Sequence, residues 1–311
     1  MPCYYPISCW RAKEPNKNGK YPMVFNPDGA QIDEPLEVPC GRCIGCRLSR
    51  SRDWAIRSMH ESSQHKYNCF LTLTYADEHL PPGQNLDPRS MTLFMKRYRT
   101  RFRNHKIRFY LCGEYGENTD LNSTSTLGRP HYHLLIFGHE FNDKELYKTT
   151  GTGEYLYTSK TLEKLWPYGH AVIGDVTFET AGYVARYCTK KIGGEMAWDH
   201  YQRTDRTTGE TTFLHPEFSR SSNQPGIGGT WYQKYKNDLA KGYLTTHGVK
   251  VPSPRYYLKK FQDDEPILYD KLKIQTAQTF DRDHPDNKIG RLRVREQVLL
   301  DRTKQLKRNQ I

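Results

Sequence analysis

The chain has 311 residues, a formal charge of +12 and 13% aromatic residues, with 22 tyrosines, enough for one large domain or two small ones. Its mean hydropathy is −0.86, yet that aromatic content describes a folded protein with a polar, ligand-handling surface, and the positive excess favours a polyanionic partner, usually nucleic acid. No stretch approaches the roughly 18 to 20 apolar residues of a membrane span, and MPCYYPISCWRAKEPNK lacks the basic start and apolar core of a secretory signal, so the eight cysteines are expected free or metal-bound in a reducing compartment.

In chain order, residues 1–50 are rich in Pro, Gly and Asn and read as an irregular, cysteine-bearing lead. SRDWAIRSMHESSQHK, from Ser51, carries Trp54, Ile56 and Met59 at helical spacing. NCFLTLTYAD (68–77) reads as a buried strand ended by Pro81-Pro82-Gly83, and SMTLFMKRYRTRFRN as a helix with Leu93, Phe94 and Tyr98 along one side. Strands follow at KIRFYLCGEYGE (106–117), HYHLLIFG and HAVIGDVTF (170–178), with a polar loop, a turn-rich region 139–169 holding a short helix at SKTLEKLW, and a helix at ETAGYVARYCTKKI. This order suits an α+β layer with a mainly antiparallel sheet and helices over one face. Residues 193–230 look irregular, 231–248 form a second compact piece leading to the basic PSPRYYLKKF, and 281–311 are a charged tail, helical or frayed. The division expected is 1–50, 51–192, 193–280 and 281–311.

Side chains alternate faces along a strand, so His131 and His133 point together and Tyr132 opposes them. Two imidazoles roughly 6 to 7 Å apart can converge on one ion. Glu114, on the preceding strand, is the expected third ligand and Glu117 the fallback; such a set accepts Mg²⁺, Mn²⁺ or a transition ion and leaves positions open for substrate oxygens. On a helix, Tyr183, Tyr187 and Lys191 share one face, with Arg186 and Lys190 adding a phosphate environment. A tyrosine attacks phosphorus only when the phosphate is polarised and the developing charge is held. The chemistry expected is transesterification that leaves a DNA end on the protein as phosphotyrosine.

FLTLTYADEHLP (70–81), GRPHYHLLIFG (128–138) and AGYVARYCTKK (181–191), with PCGRCIGCRLSRSRDWAIR (39–57), resemble the replication initiators of the HUH endonuclease superfamily, in the form found in gokushovirus-type microviruses. The quoted catalytic blocks make up well under a third of the chain. The resemblance implies a five-stranded, mainly antiparallel sheet with flanking helices, like an expanded RNA-recognition fold. It implies that Tyr183 and Tyr187 alternate as nucleophiles, that His131, His133 and Glu114 hold Mg²⁺ or Mn²⁺, and that origin DNA, single-stranded or supercoiled, is nicked and reclosed in rolling-circle replication. No phosphate-binding P-loop is present, so unwinding would come from a host helicase, in the cytoplasm of an infected bacterium.

Cys40, Cys43 and Cys46 stand two residues apart on a glycine-bearing loop, with Cys3 or Cys9 as a fourth ligand. Structural zinc is preferred, with an iron–sulfur cluster or unmetallated thiols as the other readings. KRYRTRFRNHKIR (96–108) has no acidic residue and interleaves bases with aromatics; Arg97, Arg99, Arg101 and Arg103 are candidate DNA contacts alongside Arg186 and Lys190. Two rivals share some of these features. A single-tyrosine HUH transposase or relaxase would not need both tyrosines, and a non-enzymatic zinc-stabilised DNA-binding protein would tolerate loss of His131 and His133.

Overall fold

The computed structural model describes residues 3–33, 35–118, 124–187, 192, 196–246, 248–279 and 284–305, without the side chains of residues 117, 187, 304 and 305. In chain order the elements are β1 (Ile7–Arg11), β2 (Met23–Val24), β3 (Leu36–Val38), α1 (Ile44–Ser62), β4 (Asn68–Tyr75), α2 (Pro88–Arg101), β5 (Arg108–Glu117), β6 (Leu127–Phe137), β7 (Lys144–Thr149), β8 (Tyr155–Ser159), α3 (Lys160–Leu165), β9 (Gly169–Gly174) and α4 (Phe178–Tyr187). The remainder comprises α5 (Met196–His200), β10 (Gln202–Thr204), β11 (Thr211–Phe213), β12 (Phe218–Ser221), α6 (Gly229–Tyr235), β13 (Tyr243–Thr246), β14 (Val249–Pro252), α7 (Arg255–Asp264), α8 (Pro266–Thr279) and α9 (Ile289–Gln305). The chain divides into two compact units, one of residues 1–50 with 278–311, the other of 51–277.

In the first unit β1 pairs antiparallel with both β2 and β3. Leu292 and Leu299 of α9 pack with Tyr4 and Cys43. Arg293 donates from Nη1 to the Tyr4 carbonyl at 2.7 Å and lies 3.5 Å from the Tyr5 ring centre.

The second unit is built on a seven-stranded sheet in the order β12-β5-β6-β4-β9-β8-β7, antiparallel at every pairing. Four of the strands are those expected from the apolar runs. The other three widen the sheet beyond five. β7 and β8 form a hairpin in the turn-rich region, whose charged sequence KELYKT hides the alternation because β7 is an exposed edge. β12 comes from the stretch expected to be irregular, and four residues held by long-range pairing to β5 carry no local signal.

Helices cover both sheet faces, not one as expected. On the Tyr132 face, α2 buries Met91, Phe94, Met95 and Tyr98 against Leu71, Leu73, Leu111, Leu134 and Ile136. Asp87 starts α2 by accepting from the N–H groups of Arg89 (2.8 Å) and Ser90 (3.1 Å), with Pro88 at the first helical position. On the opposite face, Trp54 of α1 stacks on Tyr110 at 4.4 Å, and α4 covers β5 and β6. α4 begins with reciprocal side-chain to backbone bonds between Thr177 and Thr180, a variant of the capping box. Ile56, Tyr232, Leu239, Leu244, Tyr257 and Phe261 form a second core within this unit.

A buried ion pair ties α1 to β5. Glu61, fully buried, accepts from the Arg108 guanidinium, from His65 Nε2 at 3.2 Å and from the Gly228 N–H at 2.7 Å. Arg108 also donates to the carbonyls of Gln224 (3.3 Å) and Pro225 (2.7 Å). Burial works to raise the Glu61 carboxyl, but the bonds from His65, Arg108 and Gly228 with the guanidinium charge outweigh it and hold it below its ordinary value. A carboxylate with a depressed folded pKa stabilises fully above its unfolded pKa of about 4.3 and loses that contribution as pH falls through the folded value. Glu61→Gln should therefore lower unfolding stability at neutral pH by about 3–5 kcal/mol, since it strands Arg108. In urea melts the variant should also lose acid sensitivity below about pH 4.3 relative to the parent. Equal stability at neutral pH would show that the pair holds nothing together.

Candidate active site and cysteine metal centre

The register of β4, β6 and β5 arranges the site in cross-strand rows. Thr72, His133 and Cys112 lie opposite one another in one row, and Thr74, His131 and Glu114 in the next. All six therefore share a face. His133 Nε2 donates to Glu114 Oε1 at 2.9 Å, and His133 Nδ1 lies 3.1 Å from Thr72 Oγ1. Both His133 and Glu114 are buried, whereas His131 is half-buried nearer the mouth. Burial, followed by the charge of His133, holds the His131 imidazole below its usual pKa, which favours the neutral form with a lone pair to offer.

Strand register sets which carboxylate stands beside the histidines. Glu114 lies opposite His131, and beyond that pair the register shifts between Tyr115 and Glu117 at a bulge that puts the extra residue on β6, so Glu117 pairs with Leu127. Gly116 sits at this bulge, and a Cβ there would meet His131 Cε1 at 3.0 Å. The imidazole packs where a side chain would otherwise stand.

The donor set suits a divalent ion by its chemistry: two imidazoles and a carboxylate, with Thr72 poised to orient His133 through its second nitrogen.

Tyr183, on α4, sets its ring edge-on to His133, with ring centres 5.0 Å apart at 89°, and edge-on to Phe70 at 6.4 Å. It is half-buried. Tyr187 ends the same helix one turn on, and its side chain, like all of Lys190 and Lys191, lies outside the described residues. Arg186 is exposed. Two residues on this face escape a sequence reading. Thr72 is a common strand residue that gains its place only from lying opposite His133. His170, exposed on β9, pairs with Thr74, which pairs in turn with His131 on its other side, so a third histidine stands on the same face.

Among the proposed DNA contacts, Arg97 is half-buried; its Nε donates to the Leu165 carbonyl at 3.0 Å, bracing the end of α3. Arg99, Arg101 and Arg103 are exposed.

In the first unit, Cys3, Cys40, Cys43 and Cys46 bring their sulfurs within 4.8 Å of one another. Among the described residues they are the group of three or more ligand side chains drawn together in this way; on the histidine face the direct contact is His133 with Glu114. The sulfurs accept backbone N–H bonds: Cys3 from Cys40 at 3.2 Å, Cys40 from Arg42 and Cys43 at 3.5 and 3.4 Å, and Cys43 from Tyr4 at 3.4 Å. Gly41, at φ +73°, allows the turn that aims these N–H groups. Burial works to raise the Cys40 thiol, but these donors and the neighbouring thiols leave it lowered to about 7. Cys9, the other fourth ligand considered, is buried beside Met23 instead, 3.9 Å from its sulfur. The four cysteines are thus a site able to coordinate a metal ion.

The protein is thus of mixed α and β class, with a histidine pair and a carboxylate on one face of its sheet and a tyrosine-bearing helix over them. Residues 68–192 match the family model described as replication-associated protein ORF2/G2P, a span that runs from β4 past α4 and contains all of His131, His133, Glu114, Tyr183 and Tyr187. The chain is 34% identical to replication-associated protein VP4 of Bdellovibrio phage phiMH2K over 77% of its own length and 73% of that protein. It is 40% identical to replication-associated protein ORF2 of Spiroplasma virus 4, over 88% of this chain and 85% of that protein. With replication-associated protein ORF4 of Chlamydia phage 1 the identity is 34%, over 80% of this chain and 60% of that one. The chain belongs to this family of phage replication-associated proteins. No solved structure matches it.

Purified protein should carry one metal ion per chain at the cysteine centre, measured by elemental mass spectrometry. Cys43→Ser should lose that ion and lower the melting temperature, and a strong chelator should do the same to the parent. A metal-free parent with an unchanged melt under chelation would refute a structural metal there.

Proposed function

We propose that this protein initiates rolling-circle replication by nicking one strand of its origin DNA through tyrosine attack and later rejoining it. The observation that carries the reading is the contact of Tyr183 with His133, which is itself bonded to Glu114. A nucleophile beside a metal-ligand set is the arrangement that phosphoryl transfer to tyrosine requires.

Tyr183 Oη attacks the scissile phosphorus, the bond from phosphorus to the 3′ oxygen breaks, and the 5′ phosphate stays on the tyrosine as a phosphodiester. The phenolic proton passes to solvent and the leaving 3′ oxygen takes one up. One phosphate ester replaces another, so no external energy source is needed. His131, His133 and Glu114 would hold Mg²⁺ or Mn²⁺, which would supply positive charge to polarise the phosphate. Burial keeps His133 and Glu114 in register for that role, and Thr72 holds the His133 ring. A phenol with a reference pKa of about 10 also needs its developing charge offset; by its spacing in the sequence from Tyr183 and Tyr187, Lys191 is the residue proposed for this, with Arg186 and Lys190 for the flanking phosphates. Tyr187 accepts the strand in the second transfer, which lets the free 3′ hydroxyl reclose the circle. The partners are single-stranded and supercoiled origin DNA, with a host helicase to unwind it, in the infected bacterial cell.

At the cysteine centre the preferred ion is zinc. Bonds of about 2.3 Å to a tetrahedral zinc place sulfurs about 3.8 Å apart, and Cys3 and Cys43 stand 4.0 Å apart. An iron–sulfur cluster spreads its thiolates over several irons and would need a wider cage.

The test is a covalent-adduct assay with labelled origin DNA, Mg²⁺ or Mn²⁺, a denaturing gel and peptide mapping. The parent should form a metal-dependent adduct on Tyr183 or Tyr187. Tyr183→Phe with Tyr187→Phe should abolish it without loss of DNA affinity, and His133→Ala should reduce it by roughly 100-fold or more. Either single tyrosine variant should keep one nick and lose the handover. Full handover in both single variants would sink the two-tyrosine scheme, and an adduct in the double variant would sink tyrosine attack altogether.

A further inference from the structure

α2, β5 and β12 enclose a groove of about 500 Å³. It lies on the sheet face opposite His131 and His133, because Phe109 and Leu111 alternate with Tyr110 and Cys112 along β5. Phe109 and Leu111 form its floor with Met91 and Met95 of α2. The rim is cationic: Lys96 and Arg99 from α2, and Arg220 from β12. Thr92, Lys96 and Arg99 recur at i, i+4 and i+7, one stripe of the helix. No acidic side chain lines the groove.

The geometry of this rim is specific. The Arg99 guanidinium carbon lies 5.2 Å from the Phe109 ring centre. Arg220 donates from Nη1 to Thr92 Oγ1 at 2.8 Å, which orients its guanidinium across the groove. Three cations around an apolar floor repel one another. They fit a ligand that offers anions along its edge and flat apolar faces between them. Single-stranded DNA has that chemistry, since its bases are free to leave the stack and its phosphates recur along the chain; duplex DNA hides the faces. The volume lies within the ordinary range for ligand clefts, roughly 300 to 1,000 Å³.

We propose that this groove is a second, non-catalytic site for single-stranded DNA. A base seats against Phe109, and Lys96, Arg99 and Arg220 hold the flanking phosphates. The inference rests on the reading of the protein as a DNA strand transferase for the identity of its ligand, and adds a strand path on the face away from the chemistry. A melted origin offers two single strands, so one face can hold the strand being cut while the other retains its partner or a flanking segment.

The experiment uses the full chain and an oligothymidylate of roughly twenty nucleotides, longer than a typical site of about 4 to 16, carrying 5-iodouracil. Irradiation should crosslink the parent protein at Phe109, as mapped by peptide mass spectrometry. Binding titrated against salt gives the second readout. Lys96→Gln with Arg220→Gln removes two phosphate contacts and should flatten the slope of log affinity against log salt by about 1.4, at about 0.7 per contact for a single strand. The parent crosslink does not depend on the variant folding, so it stands by itself. An unchanged slope with crosslinks confined to the histidine face would overturn the proposal. So would polyglutamate displacing the oligonucleotide at equal charge concentration, because the groove would then be a track for acidic protein. Crosslinks at Phe109 from a parent that forms no adduct with origin DNA would leave the groove standing and remove the strand-transfer reading. An adduct without those crosslinks would do the reverse.

Discussion

The pairing register of three strands governs the candidate site. β6 lies between β4 and β5, and each contributes to rows that cross the sheet: Thr72, His133 and Cys112, then Thr74, His131 and Glu114. A slip by one residue in any strand would turn its side chains to the α2 face and disperse the set. The apolar residues that alternate with them, Leu71, Leu73, Leu111, Leu134 and Ile136, prevent the slip because all are buried in the core beneath α2. Hydrophobic packing on one face thereby positions polar chemistry on the other.

That other face is closed by elements distant in sequence, and closure makes its electrostatics matter. Tyr183 packs on His133, Trp54 on Tyr110, and the Glu61–Arg108 pair anchors α1 to β5 while holding the turn at Gln224 to Gly228. A buried carboxylate costs several kcal/mol unless hydrogen-bonded. Glu61 and Glu114 both meet that condition, by different partners: a guanidinium, an imidazole and an amide for the first, His133 for the second. The first arrangement is saturated and leaves no room for a ligand. The second has a half-buried histidine, a tyrosine and an exposed third histidine at its mouth, and so remains open to chemistry.

The basic residues of α2 divide by burial. Arg97 turns inward to cap the end of α3, while Lys96 and Arg99 border an apolar groove with Arg220 from the edge strand. Charge that looked like one continuous stripe is therefore two devices, one bracing the fold and one facing solvent. β12 makes the second possible, since it carries Arg220 across from Thr92.

Period-two patterning in NCFLTLTY and HYHLLIF determined that both segments are strands and that His131 and His133 share a face, because alternation is intrinsic to extended backbone. Likewise, the spacing of Cys40, Cys43 and Cys46 determined that they meet, since two intervening residues and a glycine leave the loop little choice. Local pattern carried no information on contacts between distant segments. Whether Glu114 or Glu117 stands by His131 depended on the pairing register of β5 with β6; whether Cys3 or Cys9 joins the other thiols depended on how β1 is buried. The seventh strand of the sheet came from residues 218–221, and the role of Arg97 from the end of α3. In each case a partner far along the chain completes the hydrogen bond or covers the side chain, and that partner is brought there only when the whole core forms.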